Sequence, residues 1–134
     1  MGGIVYEDEH VVVEEREAQR IVIVRRRPTR PEPLELVASF RAALAQNSEK
    51  HRDWGLIIDM REAPGRNDDA FRDDTAATTA AARRIFGCMV TLVGTAAGEL
   101  HVRRISREDG REPLVARDEP TAISLCLQAL AAAS

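Results

Sequence analysis

Trp54-Gly55-Leu56-Ile57-Ile58-Asp59-Met60 is an apolar run that ends on a carboxylate and leads into the turn-rich loop Arg61-Glu62-Ala63-Pro64-Gly65-Arg66-Asn67. Residues on both alternating faces of this run are apolar, so it reads as a strand buried on both sides, as a parallel α/β sheet requires at its centre. Cys88-Met89-Val90-Thr91-Leu92-Val93 has the same character and is expected beside it or close to it in the sheet interior.

Upstream, the β-branched segments Glu7 to Glu15 and Arg20 to Arg25 flank a turn at Glu17-Ala18-Gln19, which predicts an antiparallel hairpin opening the sheet. The basic segment Arg25 to Pro31, in a stretch with three prolines by Pro33, is read as a solvated connection without chemistry. Pro33 suits a first helical turn, and Leu36, Val37, Phe40, Ala43 and Leu44 share one face of a helix from Pro33 to Gln46. His51, in a polar loop, is expected to be solvated.

Downstream of the central run, Asn67 or Asp68 caps a helix predicted from Asp68 to Phe86. Early aspartates and the late Arg83 and Arg84 match its dipole, and Gly87 is placed as a left-handed cap. Its buried side would carry Phe71, Thr75, Thr78, Ala82, Ile85 and Phe86. Ala96 to Arg107 fits both strand and helix spacing. Helix is chosen, capped by Thr95 and ended by the polar segment from Ser106 to Gly110. Leu114-Val115-Ala116-Arg117 reads as a short edge strand, and Asp118 and Pro120 open an apolar last helix. The order β-β-α-β-α-β-α-β-α specifies one α/β domain over residues 1–134, a mixed, mostly parallel sheet with helices on its faces.

A chain of 134 residues is long enough to bury about two-thirds of its extended surface in a single core. The formal net charge of -3 disfavours non-specific binding to nucleic acid. Cys88 and Cys126 lack metal-ligand spacing and are read as reduced core thiols. Neither a signal-peptide pattern at Met1 to Glu7 nor a run approaching the ~20 apolar residues of a bilayer span is present, so a cytoplasmic location is expected.

Leu56-Ile57-Ile58-Asp59, Met89-Val90-Thr91-Leu92-Val93 followed by a helix from Thr95, and Asp118-Glu119-Pro120-Thr121-Ala122-Ile123 opening the last helix together resemble the STAS domains. That group contains the bacterial anti-sigma-factor antagonists, and the likeness is closest to its small STAS-like proteins. It covers nearly the whole chain as element order and apolar runs. Antagonists carry an Asp-Ser-Ser-Gly-like motif at the start of the second helix, where a partner kinase phosphorylates serine. Here that loop reads Glu62-Ala63-Pro64-Gly65-Arg66-Asn67-Asp68-Asp69, with no hydroxyl residue. The resemblance therefore implies a regulatory protein-binding module without that phosphoswitch, its partner being another protein or a second copy of the chain.

Asp59 ends a central strand, where open α/β sheets place ligands. With Arg61, Arg66, Asn67, Asp68, Asp69 and Thr95 it forms the candidate partner- or ligand-binding edge. The alternative occupant is a small anionic or apolar ligand at the carboxyl ends of the central strands. No Gly-x-Ser-x-Gly elbow, phosphate loop or dinucleotide fingerprint is present, and Gly94-Thr95-Ala96-Ala97-Gly98 lacks the phosphate-loop lysine. No catalytic residue, cofactor or metal is expected, and neither are nucleic acid or membrane partners.

Overall fold

A computed structural model describes residues 2–46, 48–63, 79–108 and 114–133. It contains β1 (Gly2–Glu7), β2 (Val11–Arg16), β3 (Ile21–Arg26), α1 (Pro33–Ala45), β4 (Gly55–Asp59), β5 (Cys88–Leu92), α2 (Ala96–Glu108), β6 (Val115–Ala116) and α3 (Glu119–Ala133), with a further helical segment at 79–83. The six strands lie in the order β1-β2-β3-β4-β5-β6. The pairs β1–β2 and β2–β3 are antiparallel, and β3–β4, β4–β5 and β5–β6 are parallel. The fold is α/β with a mixed, mostly parallel sheet, and Leu56, Ile57 and Ile58 face Met89, Val90 and Thr91 on the neighbouring strand.

Because β4 has a partner on each side and cover on both faces, its alternate residues feed two separate cores. Leu56 joins Val11, Val13, Val22 and Val24 beneath Leu36, Phe40, Ala43 and Leu44 of α1, with Trp54, Ala82 and Phe86 closing the same layer. Ile57 joins Ile21, Ile23, Val90 and Leu92 beneath Ala122 and Cys126 of α3. Helix ends fall where local chemistry stops the chain. The Glu35 carboxylate accepts the Glu32 N–H at 3.4 Å, the Thr95 hydroxyl accepts the Gly98 N–H at 3.0 Å, and Asp118 accepts the Thr121 N–H at 2.8 Å.

Four readings are corrected or extended by the structure. A strand, β1, precedes the hairpin. Its alternation is broken by a register shift between Ile4 and Tyr6, and its turn is built by Asp8, whose carboxylate accepts the N–H groups of His10 and Val11. Gly87 is not left-handed. It is small because a Cβ there would meet the Asp53 carbonyl at 3.0 Å and Leu130 at 3.1 Å, and the positive φ in this corner belongs to Asp53, at 67°. Arg25 and Arg26 are strand residues rather than solvated linker, with Arg26 buried and donating to the Thr29 carbonyl at 3.0 Å. Cys88 is half-buried, whereas Cys126 is fully buried as expected. Of the helix predicted from Asp68 to Phe86, residues 64–78 lie outside the described residues. The helical segment ends at 83, and Ala82 and Phe86 are buried.

Truncation of Ile57, fully enclosed between β3, β5 and α3, removes contacts on every side. Ile57→Ala is expected to lower unfolding free energy by about 2–5 kcal/mol, read from urea denaturation with an unchanged slope. A loss under about 1 kcal/mol would contradict the interior placement of β4.

Candidate functional site

The carboxyl ends of the parallel strands are tied together beyond the strands themselves. Met60 donates its N–H to the Leu92 carbonyl at 2.8 Å, and Val93 donates to Ala116 at 2.9 Å. This fixes the starts of three connections, Arg61 to Ala63 after β4, Gly94-Thr95 after β5 and Arg117-Asp118 after β6, along one edge. The connections after β4 and β5 are neighbours, since a Cβ built on Gly94 would lie 3.8 Å from the Arg61 backbone and stem.

At the centre of the edge is Asp59, 6% exposed. The Arg61 backbone N–H and Nε donate to Asp59 Oδ1 at 3.1 and 3.0 Å, and an Arg61 terminal nitrogen donates to Oδ2 at 2.9 Å. Arg25, paired with Asp59 across the β3–β4 ladder, donates to Oδ2 at 2.9 Å. The second terminal nitrogen of Arg25 reaches Glu119 at 2.6 Å and Glu14 at 3.5 Å, and Arg16 bridges Glu14 and Glu119 in turn. Three guanidinium groups thus face three carboxylates between β2, β3, β4 and the first residue of α3. Burial of the Asp59 carboxyl favours its neutral form, but the hydrogen bonds from Arg61 and Arg25 outweigh it and hold the group below its ordinary range. Asp59 stays ionised with both oxygens occupied, so it works as an anchor for the edge.

Of the residues expected at this site, the structure brings Asp59 and Arg61 into direct contact and places Thr95 on the adjoining connection, exposed and capping α2. Arg66, Asn67, Asp68 and Asp69 lie outside the described residues. The sequence reading missed Arg25, Glu14, Arg16 and Glu119. The available signal was parity. In β2 and β3, Glu14, Arg16 and Arg25 fall on the same face as Ile21 and Ile23, so charged groups share a side with apolar ones and need partners there.

His51 was also misplaced. It is 2% exposed, packed against Trp54 at 4.9 Å and Phe86 at 6.2 Å between ring centroids, with Nε2 at 2.7 Å from the buried Glu15 carboxylate. Lys50 also donates to Glu15 at 2.7 Å, and these two hydrogen bonds, Lys50 first, lower the Glu15 carboxyl. This group closes the opposite edge of the sheet. Among the described residues, no group of three or more His, Cys, Asp or Glu side chains could hold a metal ion, and no helix is long and apolar enough to cross a membrane. Set against protein-family models, curated proteins and solved structures, the chain finds no match in any of the three.

A carboxyl lowered by folding stabilises the native state above its unfolded pKa and loses that contribution as pH falls through its folded pKa. Asp59→Asn is therefore expected to cost on the order of 1–3 kcal/mol near neutral pH. The gap from the unaltered chain should narrow as both are unfolded in urea at pH values below about 4. An unchanged gap across that range would mean that ionisation of Asp59 is not what holds the edge.

Proposed function

We propose that this chain is a non-enzymatic protein-binding module of STAS-like type, acting in the cytosol within a bacterial regulatory system and lacking the phosphorylatable serine of the antagonists. The observation that carries this reading is the chemistry of the carboxyl edge. Its central carboxylate is consumed by two arginines, while Thr95, Ala96, Ala97, Arg117 and Asp118 are exposed beside it and Leu100, on α2, is 66% exposed. Such a surface of small, charged and isolated apolar groups suits a protein partner, with Leu100 as a contact and the exposed Arg117 fixing orientation.

The second reading is a small anionic ligand held by Arg25 and Arg61 at the same edge. Both guanidinium groups are already engaged by Asp59, and Arg25 by Glu119 as well, so an anion would have to displace internal carboxylates. That cost favours the protein partner.

The test is affinity capture from the native host, with a photo-crosslinking side chain at position 100 and, as a control, at Leu127 on α3. A protein crosslinked at position 100 should be recovered at least about tenfold less well with Arg117→Ala, which removes an exposed charge at the rim that does not hold Asp59. Leu100→Asp, read by the same capture without the crosslinker, should weaken recovery similarly while changing unfolding free energy by less than about 0.5 kcal/mol. Crosslinking at position 127 alone would move the interface to the last helix. Recovery of the partner undiminished by both variants would overturn the assignment of this edge.

A further inference from the structure

Where β4 and β5 begin, at the end of the sheet opposite Asp59, the two cysteines of the chain meet. Cys88 opens β5 and Cys126 lies in the middle of α3, and their sulfurs are 2.9 Å apart. The intervening space is kept clear by Gly55 at the start of β4. A Cβ there would overlap Cys126 Sγ and lie 3.3 Å from Cys88 Sγ. Three elements thus converge on the thiol pair, and the one residue between them has no side chain.

We propose that Cys88 and Cys126 form a reversible thiol–disulfide site oxidised by small hydroperoxides, with Cys88 as the thiol that attacks the peroxide and Cys126 as the resolving thiol. The two sulfurs differ in access. Cys126 is fully buried, whereas Cys88 is half-buried at the start of β5. Their hydrogen-bonding options differ too. Cys88 Sγ also lies 3.6 Å from the Cys126 carbonyl, and either sulfur can be the donor between the two. When Cys88 ionises, the Cys126 S–H is the donor left to stabilise its thiolate. The hydrogen bond from Cys126 accordingly lowers the Cys88 thiol, and the same contact together with burial raises Cys126.

In the first step the Cys88 thiolate attacks the hydroperoxide, the O–O bond breaks, an S–O bond forms, and the departing oxygen takes a proton to leave as water or an alcohol. The product is Cys88 sulfenic acid. In the second step Cys126 sulfur attacks Cys88 sulfur, the S–O bond breaks, and the hydroxyl leaves as water with the Cys126 proton. Two electrons pass from the thiol pair to the peroxide. A disulfide needs sulfurs about 2.0 Å apart, so closure asks for under about 1 Å of further approach. This closeness is what favours the second step over further oxidation of Cys88.

Near-stoichiometric hydrogen peroxide, added to the full native chain, should remove both thiols together. It should also yield a peptide pair joined through Cys88 and Cys126, lighter by two hydrogens and restored by dithiothreitol. Cys126→Ser should stop at a sulfenic acid on Cys88 that dimedone traps. In Cys88→Ser the buried Cys126 should react at least about tenfold more slowly than Cys88 does in the unaltered chain. Gly55→Ala, which crowds the sulfurs, should lower the yield of the joined pair relative to trapped sulfenic acid. Thiols that persist, sulfinic acid at Cys88 without the joined pair, or crosslinks only between chains would each overturn the proposal. Because the unaltered chain gives the primary readout, poor folding of a variant does not shelter the proposal.

Discussion

A strand covered on both faces cannot turn a charged side chain to water, and β4 obeys that constraint until its final residue. Asp59 is buried in the β3–β4 ladder, so the architecture at this end depends on how its charge is compensated. The compensation comes from two directions, a fork from Arg61 just beyond the strand and an end-on contact from Arg25 on the neighbouring strand. Removing one partner of such a group leaves the rest uncompensated in a poorly hydrated place, which is why the arrangement specifies geometry more than it adds net stability.

Most of the architecture was legible because the hydrophobic periods are clean. Leu56 and Ile57 announce a doubly buried strand, the α1 positions from Leu36 to Leu44 follow helical spacing, and Thr95 and Asp118 stand where caps were expected and act as caps. The first strand escaped because Gly2 and Gly3 carry no β signal and the shift near Ile4 spoils the alternation of the residues after it. The choice of helix for the ambiguous segment after Thr95 agrees with α2.

The site was less legible, for a physical reason. Its chemistry consists of pairings between distant positions, Arg25 with Asp59 and Glu119, His51 with Glu15, Cys88 with Cys126. Local spacing shows that Glu14, Arg16 and Arg25 need partners on an apolar face, but it does not say which distant residues those partners are. A polar sequence context made His51 look solvated, yet Trp54 and Phe86 wall it in and Glu15 satisfies its ring nitrogen. Local polarity reports the neighbours along the chain, whereas burial is decided by neighbours in space.

The unbroken strand order β1 to β6 has a consequence for assembly. Each strand pairs with the one before it in the chain, so the entropy of loop closure is lost in small steps and the sheet can grow outward from the β2–β3 hairpin during synthesis. The contacts that bridge the longest stretches of chain, from Glu119 to Arg16 and Arg25, all belong to α3. Until that helix has emerged and folded back, Ile21, Ile23, Ile57 and Val90 lack the cover that Ala122 and Cys126 supply. The last of these elements to leave the ribosome is thus the lid of the nascent domain, and an interrupted chain that lacks it is a natural target for chaperones and proteases.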